Sequence, residues 1–176
     1  MSAEVQPDVA TKRMDADCCI AGGGPAGMML GYLLARAGVR VIVLEKHGDF
    51  LRDFRGDTVH PSTLEVMYEL GLLERFLERP HDRAEQLSGQ IGETIVQIAD
   101  FRHLPVHAPF IAFMPQWEFL DFLAGEARAF PEFTLIMRAE ARDLVFDGER
   151  MTGVRAATPD GPMEIHAQLV VGADGR

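Results

Sequence analysis

The run CCIAGGGPAGMMLGYLLARAGVRVIVLE, residues 18–45, constrains the fold more than any other part of the chain. It opens with a short apolar segment ended by glycines, the pattern of a buried parallel strand. Pro25 stands where a first-turn proline belongs, the next residues continue as a helix, and Gly38 caps it. Residues 39–45 are β-branched and apolar, a second buried strand. Strand, helix and strand fit into about thirty residues, the size of one parallel crossover unit.

The junction carries Gly22, Gly24 and Gly27 in the spacing G-x-G-x-x-G, with a strand before it and a helix after it. Gly22 permits a tight turn out of the strand. Gly24 lets a pyrophosphate approach the backbone, and Gly27 lets the helix pack close to the sheet. The helix N-terminus then presents unpaired N–H groups and about half a positive charge. Glu45 closes the second strand at about the distance expected for a carboxylate that accepts hydrogen bonds from an adenosine ribose. It would repel a 2′-phosphate, so FAD or NAD is expected rather than NADP.

The chain has 176 residues and a formal net charge of -10. That balance argues against nucleic acid as the main partner, because phosphate binding over a wide face needs net basic charge. It does not argue against one diphosphate held by local amides. No apolar run reaches the ~18 residues of a membrane-spanning helix, and the polar, acidic N-terminus lacks the apolar segment of a secretory signal. A cytoplasmic location is expected. Cys18 and Cys19 are adjacent in the first strand and read as two small buried hydrophobes. No histidine spacing suits a metal. His103 and His107 come nearest, but Leu104 and Pro105 between them break a helix.

Residues 1–14 read as a flexible tail and 15–176 as one α/β domain. A polar loop (46–60) leads to a helix opened by Pro61 and ended by Gly71, then a short helix stopped by Pro80. Residues 84–99 read as a hairpin around Gly92 and 107–114 as a strand. QWEFLDFLAGEARAF reads as an amphipathic helix with Trp117, Leu120, Leu123, Ala124 and Ala127 on its apolar stripe. FTLIMRAE is a further strand, and Asp147-Gly148 and Asp160-Gly161 mark hairpin turns after it.

An NAD-type Rossmann domain would continue in strict alternation of strand and helix, and this order departs from it. GGGPAG at 22–27 with VIVLEK at 41–46, RGDTVHPSTLEVMYELGL at 55–72, MPQWEFLDFL at 114–123 and VVGADGR at 170–176 resemble the flavin-binding part of the class A flavoprotein monooxygenases, the FAD-dependent aromatic hydroxylases of the 4-hydroxybenzoate hydroxylase type. The resemblance implies a glutathione-reductase-type FAD-binding domain: a Rossmann-like parallel sheet with a β-meander, plus the first strands of a substrate-side sheet drawn from residues 85–115. It also implies that the rest of the substrate domain lies outside this chain, which reads as truncated at VVGADGR.

By the same resemblance, FAD is held by Gly22, Gly24, Pro25, Ala26, Gly27, Glu45 and Lys46. Arg55 contacts the flavin side, Gln116 hydrogen-bonds the cofactor, and Asp174 of the Asp-Gly motif lies near the pyrophosphate. The implied activity is NAD(P)H-dependent hydroxylation of an aromatic or similar electron-rich small molecule with O2, through a flavin C4a-hydroperoxide. An FAD-dependent reductase or halogenase of the same fold, or a non-catalytic FAD-binding fragment, are the alternatives. No catalytic side chain is identified.

Overall fold

The fold follows from which strands are apolar on both faces and which on one. The structure is a computed structural model that describes residues 11–51 and 57–175. In chain order its elements are β1 (Lys12–Ala21), α1 (Pro25–Arg36), β2 (Val41–Glu45), β3 (Thr58–Val59), α2 (Pro61–Glu69), α3 (Leu73–Leu77), β4 (Asp82–Ala84), β5 (Gln86–Ile91), β6 (Thr94–Asp100), β7 (Ile111–Phe113), α4 (Gln116–Ala127), β8 (Phe133–Met137), β9 (Glu140–Asp147), β10 (Arg150–Thr158) and β11 (Gly161–Gly172). Two compact units divide them, one running to Phe50 and resuming at Leu123, the other from Leu51 to Phe122. The boundary falls inside α4.

The first unit is built on a six-stranded sheet in the order β8-β2-β1-β11-β10-β9. β8, β2, β1 and β11 run parallel, and β11, β10 and β9 form an antiparallel meander. All five residues of β2 are buried, as a central parallel strand requires. Val43 on one face of the strand meets α1: a Cβ at Gly31 would stand 2.8 Å from the Val43 side chain and 3.0 Å from the Phe133 ring. Its even positions, Ile42 and Leu44, join Cys19, Val154, Ala156, Met163 and Ile165 in one cluster on the opposite face. Burial pushes the Cys19 thiol up to about 12, so it stays protonated there. Both cysteines are free.

Three sequence expectations change. β1 starts at Lys12, so the last residues of the expected tail 1–14 belong to a strand. Lys12, Arg13 and Asp15 are polar because they lie where β1 meets the meander end of β11, pairing Lys12 with Met163, while their side chains stay exposed. The strand expected at 107–114 shrinks to Ile111–Phe113. The strand expected as FTLIMRAE is interrupted at Arg138, whose φ of 55° turns the chain from β8 into β9.

In the second unit β7 pairs with β3 on one side and β4 on the other, and β5 and β6 form a separate hairpin turned at Gly92, φ 63°. Its core centres on Phe76, which meets Phe119 edge-on at 5.7 Å and Phe122 at 5.2 Å. Arg79 pairs with Glu118 beside these rings and also lies over Phe122. Glu65 on α2 accepts from both the backbone N–H and the ring of His107, at 2.9 Å each, and Tyr68 stacks on the same imidazole. The His107 N–H groups hold the Glu65 carboxyl below the usual carboxylate range. Among the described residues no helix is long and apolar enough to cross a membrane.

The β10–β11 ladder has one position where a side chain has no room. A Cβ at Gly153 would lie 2.1 Å from the Ile165 carbonyl oxygen, a backbone atom that cannot swing aside. Gly153→Ala should therefore destabilise the first unit by about 1–3 kcal/mol, the cost of forcing a strand apart. Urea unfolding followed by far-UV circular dichroism checks it, and an unchanged midpoint would refute it.

Candidate dinucleotide site

The parallel strands end together: Ala21 of β1 is level with Gly172 of β11 and Leu44 of β2, and Glu45 with Met137 of β8. The loops that leave this carboxyl edge carry most of the residues expected to bind the cofactor. In open α/β sheets the crevice outside the carboxyl ends is where ligands sit.

Gly22 has φ 116° and its N–H donates to the Leu44 carbonyl at 2.8 Å. A Cβ there would stand 2.4 Å from the Ala173 carbonyl oxygen and 2.6 Å from the Asp174 nitrogen. The glycine loop and the Asp-Gly motif are therefore in backbone contact, and the Ala173 N–H reinforces this by donating to the Ala21 carbonyl at 2.7 Å. Gly27 is needed for the same kind of reason. Its missing Cβ would fall 1.9 Å from the Gly22 carbonyl oxygen, nearer than the 3.3 Å to Ile20 of the strand. The first turn of α1 thus rests on the loop before it rests on the sheet.

Gly24 differs from both. Its backbone is extended (φ -74°, ψ -178°), which any residue adopts, and a Cβ would meet nothing within 4 Å. It caps α1 without a side-chain hydrogen bond, Pro25 follows at the first helical position, and the first turn holds no acidic residue. Pro25 and Ala26 are exposed. A helix N-terminus that is uncapped, open and free of negative charge suits an anion.

Glu45 is only 2% exposed. Its Oε2 accepts from the Gly23 N–H at 3.0 Å and its Oε1 from the His47 N–H at 2.8 Å. The carboxylate is thus oriented by the loops after β1 and after β2. A carboxylate accepts about four hydrogen bonds. Gly23 is a residue of this candidate site that the motif template treats as arbitrary. A Cβ there would press on the Glu45 side chain at 2.9 Å, and the run of three glycines was the available signal.

Asp174 is exposed, followed by Gly175 with φ 78°, and Lys46 is exposed beside Glu45. Gln116 is the first residue of α4 and belongs to the second unit. Arg55 lies outside the described residues. Gly22, Gly23, Gly24, Gly27, Glu45 and the Asp174 backbone are thus brought to one edge of one sheet. These residues fit a dinucleotide: an open helix N-terminus for the diphosphate, and one strand over, an oriented carboxylate for ribose hydroxyls. Among the described residues no group of three or more His, Cys, Asp or Glu is placed to hold a metal ion.

Comparison with known proteins agrees with this geometry. The family described as "FAD binding domain" matches residues 15–176. A 6-methylpretetramide 4-monooxygenase of Streptomyces rimosus is 33% identical over 161 residues, covering 91% of this chain and 38% of that protein. A rifampicin monooxygenase of Streptomyces venezuelae is 36% identical over 161 residues, covering 90% and 32%. Among solved structures, an anhydrotetracycline hydroxylase of Streptomyces rimosus superposes with a TM-score of 0.76 at 31% identity, covering 92% of this chain and 32% of that one. The chain spans about a third of the length of these relatives.

The double anchorage of Glu45 has an energetic consequence of its own. Glu45→Ala leaves the Gly23 and His47 amides without their acceptor at a buried position, a loss of about 1–3 kcal/mol even with no ligand present. Thermal unfolding of the ligand-free chain should show a lowered midpoint, and an unaltered melt would mean that the carboxylate has no structural part.

Proposed function

The chain belongs to the FAD binding domain family of class A flavoprotein hydroxylases, and from that premise we propose that its carboxyl-edge crevice holds FAD for an NAD(P)H-dependent monooxygenase. The observation that carries the reading is the open, uncapped N-terminus at Gly24 one strand away from the oriented Glu45 carboxylate.

In this reading the FAD diphosphate lies over Gly24 against the first-turn amides of Ala26 and Gly27, where Pro25 presents no N–H and sets the helical φ. Glu45 accepts from the ribose hydroxyls, Lys46 lines the same end, and Asp174 borders the diphosphate through the contact of its backbone with Gly22. Arg55 and Gln116 attend the flavin half. Held there, FAD would supply redox chemistry with NAD(P)H and O2, which amino-acid side chains do not. The protein's part is to fix the cofactor's position by helix-terminus charge and hydrogen bonds.

The substrate is an aromatic or similarly electron-rich small molecule, a reading supported by relatives named for 6-methylpretetramide and rifampicin. The hairpin β5–β6 supports a substrate-side sheet formed with further strands: Ile91, Ile95 and Ile98 are 73%, 76% and 70% exposed on it. A nicotinamide reductant fits a cytoplasmic location.

The test has two arms. Purified chain should carry or take up FAD, read as flavin absorbance and identified after release; protein that stays colourless with excess FAD refutes the reading. Gly24→Val should abolish that uptake by placing a side chain where the diphosphate lies. It should cost the unliganded fold no more than the ~1 kcal/mol of a poorer helix cap. In the protein of the relatives' length, NAD(P)H consumption should rise on adding an aromatic substrate, and product should contain one atom of labelled O2.

A further inference from the structure

Among the described residues, Arg138 is the one non-glycine residue with a positive φ, 55°. The left-handed region suits glycine or asparagine and is strained for an arginine. Strain of this kind persists where the surroundings over-determine it, and it clusters at binding sites. Here the surroundings are the loop that carries Glu45. The Arg138 N–H donates to the His47 carbonyl at 2.9 Å, and the Ala139 N–H donates to the Glu45 carbonyl at 2.8 Å. The guanidinium lies over Gly48, where a Cβ would stand 2.8 Å from Nε and 3.5 Å from Cζ.

The arginine is exposed and makes no ion pair with any described carboxylate, whereas Arg40, Arg102 and Arg142 each meet one. Its place in the sheet gives it a use. At the carboxyl edge the strands follow in the order β11, β1, β2, β8, about 4.8 Å apart. The diphosphate belongs to β1 and the ribose to Glu45 at the end of β2. The next strand outward is β8, and Arg138 is the first residue beyond its end, level with Glu45 through the Glu45–Met137 pairing. A dinucleotide followed outward along this edge brings its base to Arg138.

We propose that Arg138 is the adenine-binding residue of this site, its planar guanidinium lying against the base, and that Gly48 is glycine to leave the guanidinium that room. A delocalised, weakly hydrated cation stacks on aromatic faces better than an ammonium does. The assignment rests on the FAD reading above and deepens it.

The test uses the whole chain, with ADP as the probe of the nucleotide half and FMN as the probe of the flavin half. Arg138→Gly should weaken FAD and ADP binding about tenfold and leave FMN binding as it was. It should also raise the unfolding temperature of the flavin-free chain by roughly 2–4 °C, because glycine relieves the left-handed strain. Gly48→Ala, which displaces the guanidinium without touching Arg138, should weaken ADP binding without lowering that temperature.

ADP binding at the parental strength in either variant overturns the assignment. So does an equal loss of FMN. A loss of ADP affinity accompanied by a lowered unfolding temperature also overturns it, since the arginine would then be holding the loop and not the base. If the parent chain binds neither FAD nor ADP, the FAD reading falls and this assignment with it. A parent that binds with variants that bind equally well removes the assignment alone.

Discussion

The carboxyl edge of this sheet depends on one approach of backbone to backbone. At Gly22 the chain leaving β1 passes so close to Ala173 and Asp174 that no side chain fits, and at Gly27 the helix presses on the Gly22 carbonyl. These contacts involve no hydrophobic area and no charge, yet they decide where α1 begins. A helix N-terminus acts on an anion only over the first turn. Seating that turn directly on the loop therefore places the field, and the rigid sheet beneath prevents it from drifting. The large buried cluster of the first unit has the complementary role of holding the strands whose ends make the loop possible.

Glu45 shows how a binding group is kept ready. A carboxyl group at 2% exposure would be costly without partners. Two backbone amides from different loops compensate for that desolvation and also aim the group. The same bonds join the loop after β1 to the loop after β2, so diphosphate and ribose subsites hold a fixed spacing. A surface glutamate in the same place would have to be ordered by the ligand itself, at a cost in side-chain entropy.

Much of this was legible in the sequence, and the physical reason differs by element. β1, α1 and β2 were readable because apolar continuity, Pro25 and Gly38 all report local backbone conformation. The turns at Gly92 and Gly148 were readable for the same reason. Lys12–Met14 were not, because their strand character comes from pairing with residues 163–165 far along the chain, and their side chains are polar or half-exposed. The turn at Arg138 was hidden because arginine gives no sign of a left-handed conformation. Gly23 was hidden behind its two better-known neighbours, since its purpose appears only when the Glu45 side chain is seen against it. Gln116 was readable as a helix start, but its partners depend on tertiary structure that periodicity does not report.

β11 lies in the middle of the sheet although it is the last strand in the sequence, hydrogen-bonded to β1 on one side and β10 on the other. Its first pairing with β1 joins Lys12 to Met163, a separation of about 150 residues, among the most non-local contacts a domain of this size can make. While the chain is being synthesised, β1 therefore waits with one edge unpaired until β11 emerges. An open apolar strand edge is a template for association with other chains. The order of strands that builds the carboxyl-edge crevice therefore leaves this edge open until residues 161–172 are made, and the edge closes as the Asp-Gly motif comes to rest against Gly22.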